Sequence, residues 1–204
     1  MKNKIALFCA LILAGTARGQ EKVWNFDGDK PGEIASGFSN EQGKWVVAVD
    51  ESSPARHKVL AQAAANEKNV FNLALVKGAS FKNVDLSVKM KAVAGTIDQG
   101  GGLVWRAKDA KNYYVTRFNP LEENFRVDKV ENGVRTRFEN VPLKAEAGWH
   151  TLRAVMVGDH IECYFDGKKL LDVKDAAFQA AGQIGLWTKA DAQTQFDEFK
   201  AKDN

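Results

Sequence analysis

The chain has 204 residues, with 29 Lys and Arg against 26 Asp and Glu, 17 Gly, 4 Pro and two Cys. Its small basic excess sits in the first nineteen residues, where Lys2, Lys4 and Arg18 lie; without them 26 basic residues face 26 acidic ones. A neutral remainder lacks the basic stripe that holds a nucleic-acid backbone, and Cys163, the one cysteine after that point, excludes an internal disulfide.

In chain order, Lys2 and Lys4 precede an uncharged apolar run over residues 5–14, and small residues come next at Ala17 and Gly19. This is the layout of a secretory signal cut after Gly19, with Ala17 as the alternative. The run is too short to span a bilayer, and no Cys succeeds it in a lipid-anchoring position. The expectation is export to the periplasm or the cell exterior. Residues 20–204 then form a single domain, since roughly 185 residues bury about 70% of their unfolded surface without a staple.

Strand signals dominate the rest of the chain. Short apolar segments at 23–26, 45–49, 59–62 and 70–74 lead to 84–92, where Val84, Leu86, Val88, Met90 and Ala92 alternate with Asp85, Ser87, Lys89 and Lys91. A period of two with one apolar face is a half-buried strand. Segments 103–106 and 113–118 come next. Residues 125–131 and 134–138 flank Asn132-Gly133, and Ile161, Cys163 and Phe165 lead through Asp166-Gly167 into 168–173. Asn-Gly and Asp-Gly are strong two-residue hairpin signals, so the sheet is antiparallel. Segments 150–157, 182–191 and 195–200 complete about a dozen strands, the pattern of a sandwich or barrel. Helix is scarce: residues 175–180 invite one turn, and 61–66 has helix-forming composition between strands.

Several stretches resemble the concanavalin A-like lectin/glucanase superfamily: Trp105-Arg106, Asn112-Tyr113-Tyr114, Arg117, Leu121-Glu122 with Asn124, Trp149-His150-Thr151-Leu152, Tyr164-Phe165-Asp166-Gly167, 182–191 and Phe196-Asp197. Within it the chain is most similar to the 3-keto-disaccharide hydrolase family, with laminin-G-like modules as relatives. The resemblance covers most of the chain after residue 20 and is strongest from Phe81 onward. It implies an all-β antiparallel jelly-roll sandwich with a carbohydrate on the concave face of one sheet. It also implies a structural Ca²⁺ near the terminal strands, for which Asp27, Asp29 and Asp197 supply oxygen ligands.

Candidate ligand-binding residues are Arg106, Arg117 and Arg126 on successive strands, with Tyr114, Asn119, Trp187 and Lys189. Aromatic faces pack on a pyranose, and guanidinium groups hydrogen-bond hydroxyls or a carboxylate in fixed geometry. Alternation puts Arg117 on one face with Tyr113 and Asn119, away from Tyr114; it puts Trp187 opposite Ile184 and Leu186, and Trp105 in the core. For catalysis, the Glu-x-Asp-x-x-Glu motif of family-16 glycosidases is absent. Glu122, Glu123, Asp128 and Asp191 remain as acids, and Glu123 or Asp128 suits proton abstraction from a keto-sugar. Cys163 shares the core face of its strand and is expected to be inert, and the histidines lack metal spacing. Three functions stay open on the residues: glycan binding, keto-disaccharide cleavage, and an envelope adhesion module that meets protein partners.

Overall fold

The computed structural model describes residues 20–54 and 57–204; the expected export signal lies outside them. The described residues form β1 (Lys22–Trp24), β2 (Phe38–Gln42), β3 (Trp45–Val49), β4 (Lys58–Gln62), β5 (Phe71–Val76), β6 (Val84–Ala94), β7 (Gly101–Asp109) and β8 (Asn112–Asn119). The chain continues through β9 (Asn124–Glu131), β10 (Val134–Pro142), β11 (Trp149–Val157), β12 (His160–Phe165), β13 (Lys168–Lys174), β14 (Gln183–Lys189) and β15 (Gln193–Lys202). No helix occurs among them, and residues 175–180 are irregular, contrary to the helical turn their composition invites. Their backbone is engaged instead: Tyr114 accepts from Phe178 N, and Arg106 donates to Phe178 O.

The strands make two antiparallel sheets. An eight-stranded sheet runs β13-β12-β11-β6-β15-β4-β3 with β1 also on β15, and a seven-stranded sheet runs β10-β9-β8-β7-β14-β5-β2. Both hairpins form as their turn residues require. Asn132 and Gly133 have φ of 52° and 80°, and Asp166 and Gly167 have 46° and 81°, the paired left-handed conformations of a tight two-residue turn. At Gly102 the neighbouring strand comes so close that an added Cβ would lie 1.7 Å from the Thr116 carbonyl oxygen; only glycine permits that approach.

The alternating strands meet face to face. Val84, Leu86, Val88 and Met90 from β6 and Ile161, Cys163 and Phe165 from β12 pack in one cluster with Leu103, Trp105, Tyr114, Phe118, Phe125, Ile184 and Leu186 from the other sheet. Each such side chain stabilises the sandwich by roughly 1.5–3 kcal/mol relative to exposure. Cys163 is fully enclosed here, and burial pushes its thiol up to about 12, which leaves it unreactive.

The seven-stranded sheet has a second apolar layer on its other side. Leu73, Leu75, Val104, Tyr113, Val115, Val130 and Trp187 form it. Most sandwich strands turn a polar face outward; here the outward side chains are covered, and polar groups are buried with them.

Candidate functional site

The outward rows of the seven-stranded sheet are set by strand register. Across β10, β9, β8, β7, β14 and β5, one row reads Asn140, Arg126, Arg117, Gly102, Trp187 and Leu73, because each residue lies opposite the next. A second row places Arg137 opposite Asp128 and Asp128 opposite Val115, and a third joins Arg135, Val130 and Tyr113. Arg117 and Arg126 are thus directly cross-strand, where like charges oppose pairing unless an anion intervenes.

That anion is Glu122 in the turn between β8 and β9. Its carboxylate takes a bond from Arg117 Nη2 at 2.5 Å and lies 4.0 Å from Arg126 Nη1. Although partial burial works to raise it, the Arg117 charge holds the Glu122 carboxyl down to about 2. Asn119 builds the turn, its side-chain oxygen accepting the N–H groups of Leu121 and Glu122 at 2.9 and 3.0 Å.

Asp128 lies between the arginines. Its Oδ2 is 3.1 Å from Arg126 Nε and 3.7 Å from Arg135 Nε. The first lacks hydrogen-bond alignment and the second is too long, so both Asp128 oxygens are buried without a hydrogen bond. Burial raises the Asp128 carboxyl above its usual value in spite of Arg126, Arg135 and Arg117 nearby. Arg117 Nε and Nη1, Arg126 Nε, Arg135 Nη1 and Asn124 Oδ1 are buried and unpaired as well. Buried polar atoms without partners are rare because each costs about 1–3 kcal/mol. Seven such atoms come from five residues on adjoining strands.

The surroundings hold this group in place. The Arg135 guanidinium stacks over Phe71 and Trp187 at 5.4 and 5.7 Å, and Trp187 Nε1 donates to Tyr113 Oη at 3.1 Å. Beyond Asn119, Asp98 accepts from Asn119 Nδ2 at 2.6 Å and Lys189 Nζ at 2.8 Å. The loop that carries Asp98 is fastened by Asp191, whose carboxylate accepts the N–H groups of Thr96, Ile97 and Asp98. Desolvation alone would raise Asp191; these bonds hold it down to about 2.

Of the residues singled out in the sequence, Arg117, Asn119, Arg126, Asp128, Trp187 and Lys189 come together here. Trp187 is 1% exposed, so it supports Arg135 and offers no open stacking face. Arg106 and Tyr114 stand elsewhere. A register shift after Trp105 and a φ of 47° turn Arg106 off the outward rows. Its three nitrogens donate to the carbonyls of Lys82, Phe178 and Gly158 at 2.7–2.8 Å. Tyr114 stacks on Trp105 between the sheets, and its hydroxyl donates to Asp175. Glu123 is exposed and pairs with Lys144 at 3.2 Å. Arg135 was absent from the candidates, yet the Asn132-Gly133 turn sets its strand opposite β9 and puts Arg135 beside Val130.

At the chain's other end, Lys58 Nζ donates to the carbonyl oxygens of Asp27 and Asp29, both at 2.8 Å. Asp29 Oδ1 accepts Ser36 N, while Asp197 accepts from Ser53 Oγ and Glu198 N. A separate group, His160, Glu162 and Asp172, converges on the edge of the eight-stranded sheet, and Lys169 Nζ already bridges its two carboxylates at 2.8 and 2.7 Å.

The model of the 3-keto-alpha-glucoside-1,2-lyase-like domain matches residues 26–202. The chain belongs to this family. Its strands superpose on the carbohydrate binding module CBM66 from Bacillus subtilis with a TM-score of 0.67 and 22% identity, covering 81% of this chain and 95% of that one. The Crh5 transglycosylase in its apo form gives 0.63 at 15% identity, over 90% and 84%. The exoplasmic/lumenal domain of VIP36, in a form bound to Ca²⁺ and Man2, gives 0.61 at 11% identity, over 90% and 87%. No curated protein matches in sequence. At these identities the likeness is one of fold, and the fold of this lyase-like domain is the antiparallel jelly-roll sandwich expected of the concanavalin A-like superfamily.

Because Arg106 ties three carbonyls of separate segments, Arg106→Met should lower stability by roughly 2–4 kcal/mol. Chemical denaturation measures it; a loss below about 0.5 kcal/mol would show that the three bonds contribute little.

Proposed function

We propose that the outward face of the seven-stranded sheet binds a saccharide in an exported protein. The observation that carries this reading is the set of buried, unpaired polar atoms on Arg117, Asn124, Arg126, Asp128 and Arg135. A saccharide offers hydroxyl groups that donate and accept at once, so one ring can satisfy both the guanidinium donors and the Asp128 acceptors. The sheet supplies a rigid base, which limits the ordering cost of binding. The family match and the CBM66 and VIP36 neighbours support a carbohydrate partner. Among the described residues no helix is long and apolar enough to cross a membrane.

A second reading, cleavage of a keto-glycoside, is favoured by Asp128 itself. Its carboxylate makes no hydrogen bond and is more basic than usual, which suits a group that removes a proton. In a 3-keto-glycoside the C2–H bond is acidified by the neighbouring ketone. Asp128 would take that proton, and the electron pair would become the C2–C3 enolate, with Arg126 or Arg135 facing its oxygen. Collapse of the enolate forms the C1–C2 double bond and expels the C1 oxygen, which leaves as an alcohol with the proton from Asp128. Glu123, exposed and paired with Lys144, has no comparable setting.

Calcium at Asp27, Asp29 and Asp197 meets a rival in Lys58. The backbone carbonyls of Asp27 and Asp29, beside the expected carboxylate ligands, already accept from an ammonium group, although Asp27 Oδ1 is buried without a hydrogen bond. A cation there would have to displace Lys58, and the positive charge is already supplied.

Two outcomes are expected. The wild-type chain should bind saccharides and release product from a 3-keto-glycoside, while Asp128→Asn should lose turnover by at least about 100-fold, well beyond any loss of binding. Unchanged turnover in Asp128→Asn removes it as the base, and a wild type that binds no saccharide contradicts the main reading. Thermal melting should be the same in calcium and in chelator; a calcium-dependent rise of several degrees would show that an ion displaces Lys58.

A further inference from the structure

The charge balance of the face narrows what it holds. Arg117, Arg126 and Arg135 bring three positive charges, while Glu122 and Asp128 bring two negative ones. Arg137 lies opposite Asp128 and adds a fourth positive charge at the rim. The neighbouring pair of Lys189 and Asp98 is neutral in sum.

The unpaired atoms lean the same way. Four guanidinium nitrogens from three arginines make no hydrogen bond: Nε and Nη1 of Arg117, Nε of Arg126 and Nη1 of Arg135. The unpaired acceptors are the two oxygens of Asp128 and Asn124 Oδ1. Burial, then the adjacent Arg117 charge, brings Arg126 down to about 10. Held in this way, the cluster gains most from a ligand group that only accepts hydrogen bonds and carries negative charge. Charge-assisted bonds of guanidinium to carboxylate are about twice as strong as neutral ones.

We infer that the saccharide of this face carries a carboxylate, as a uronic acid does, and that Arg117, Arg126 and Arg135 receive it. The inference rests on the proposed saccharide binding and adds its substrate class. Glu122 has a defined part in it. Its carboxylate occupies Arg117 Nη2, at 40% side-chain exposure and in a turn. It is an internal anion that keeps two facing arginines apart in charge and competes with the ligand's carboxylate for the same guanidinium. A guanidinium fork receives a carboxylate through two parallel charge-assisted bonds.

Titration calorimetry on the full chain tests this with cellobiouronic acid, its neutral counterpart cellobiose and a sulfated cellobiose. The uronide should bind about tenfold tighter than cellobiose, with the preference shrinking as salt rises. Arg135→Gln should cut that preference below about threefold, because it removes one of the three guanidinium groups that receive the carboxylate while both sugars lose the same hydroxyl contacts. Glu122→Gln, at a half-exposed turn position, should tighten uronide binding about threefold, a gain that general loss of structure cannot mimic. Equal affinity for uronide and cellobiose would overturn the charge inference and leave the saccharide reading standing. Binding of none of the three would overturn both. Tighter binding of the sulfated sugar, or weaker uronide binding in Glu122→Gln, would overturn the assignment of a carboxylate to these arginines.

Discussion

Two guanidinium groups face each other across adjacent strands, Arg117 on β8 and Arg126 on β9, at positions where like charges disfavour pairing. The arrangement persists because anions are built in beside it. Glu122 reaches Arg117 from the turn that joins the same two strands, and Asp128 lies two residues along from Arg126 on the same side. Much of the local design answers this constraint. Asn119 shapes the turn that carries Glu122, Asp98 ties Asn119 to Lys189, and Asp191 holds the loop that carries Asp98. The compensation is incomplete in hydrogen bonds and leaves buried donors and acceptors over on this face.

The two sides of the seven-stranded sheet divide the work. Trp105, Tyr114, Phe118 and Phe125 face inward and fuse the sheet to its partner, while Tyr113, Val115 and Trp187 face outward and form the floor on which Arg135 lies. The apolar core and the charged cluster therefore use alternate residues of the same strands. This explains why Arg106, one residue from the core Trp105, is a fastening group: the bulge there turns it toward three carbonyls at the sheet end.

Local chemistry made much of the fold legible. Asn132-Gly133 and Asp166-Gly167 demand left-handed turns, and the alternation of 84–92 and 161–165 shows which residues meet in the core. β2 escaped notice because Ser39, Asn40, Glu41 and Gln42 carry no apolar alternation; it is an edge strand, held by its pairing with β5. Alternation also separated Arg117 and Asn119 from Tyr114. It failed at Arg106, since a bulge reverses parity without any glycine or proline to announce it. Arg135 was within reach: counting back from the Asn132-Gly133 turn gives its register against β9, and only its partnership with Trp187 required the tertiary structure. Lys58 could not have been found, because its two carbonyl partners lie some thirty residues away in an irregular segment.

The central claim is that unpaired guanidinium nitrogens on the outward face receive a saccharide. Side-chain ¹⁵N–¹H NMR of the arginine Nε groups observes them directly during titration with an acidic disaccharide. The Arg117 and Arg126 Nε resonances should shift, because neither nitrogen makes a hydrogen bond, while Arg106 Nε, already bonded to the Lys82 carbonyl, should stay in place. A titration that moves Arg106 and leaves Arg117 and Arg126 unmoved would contradict the account.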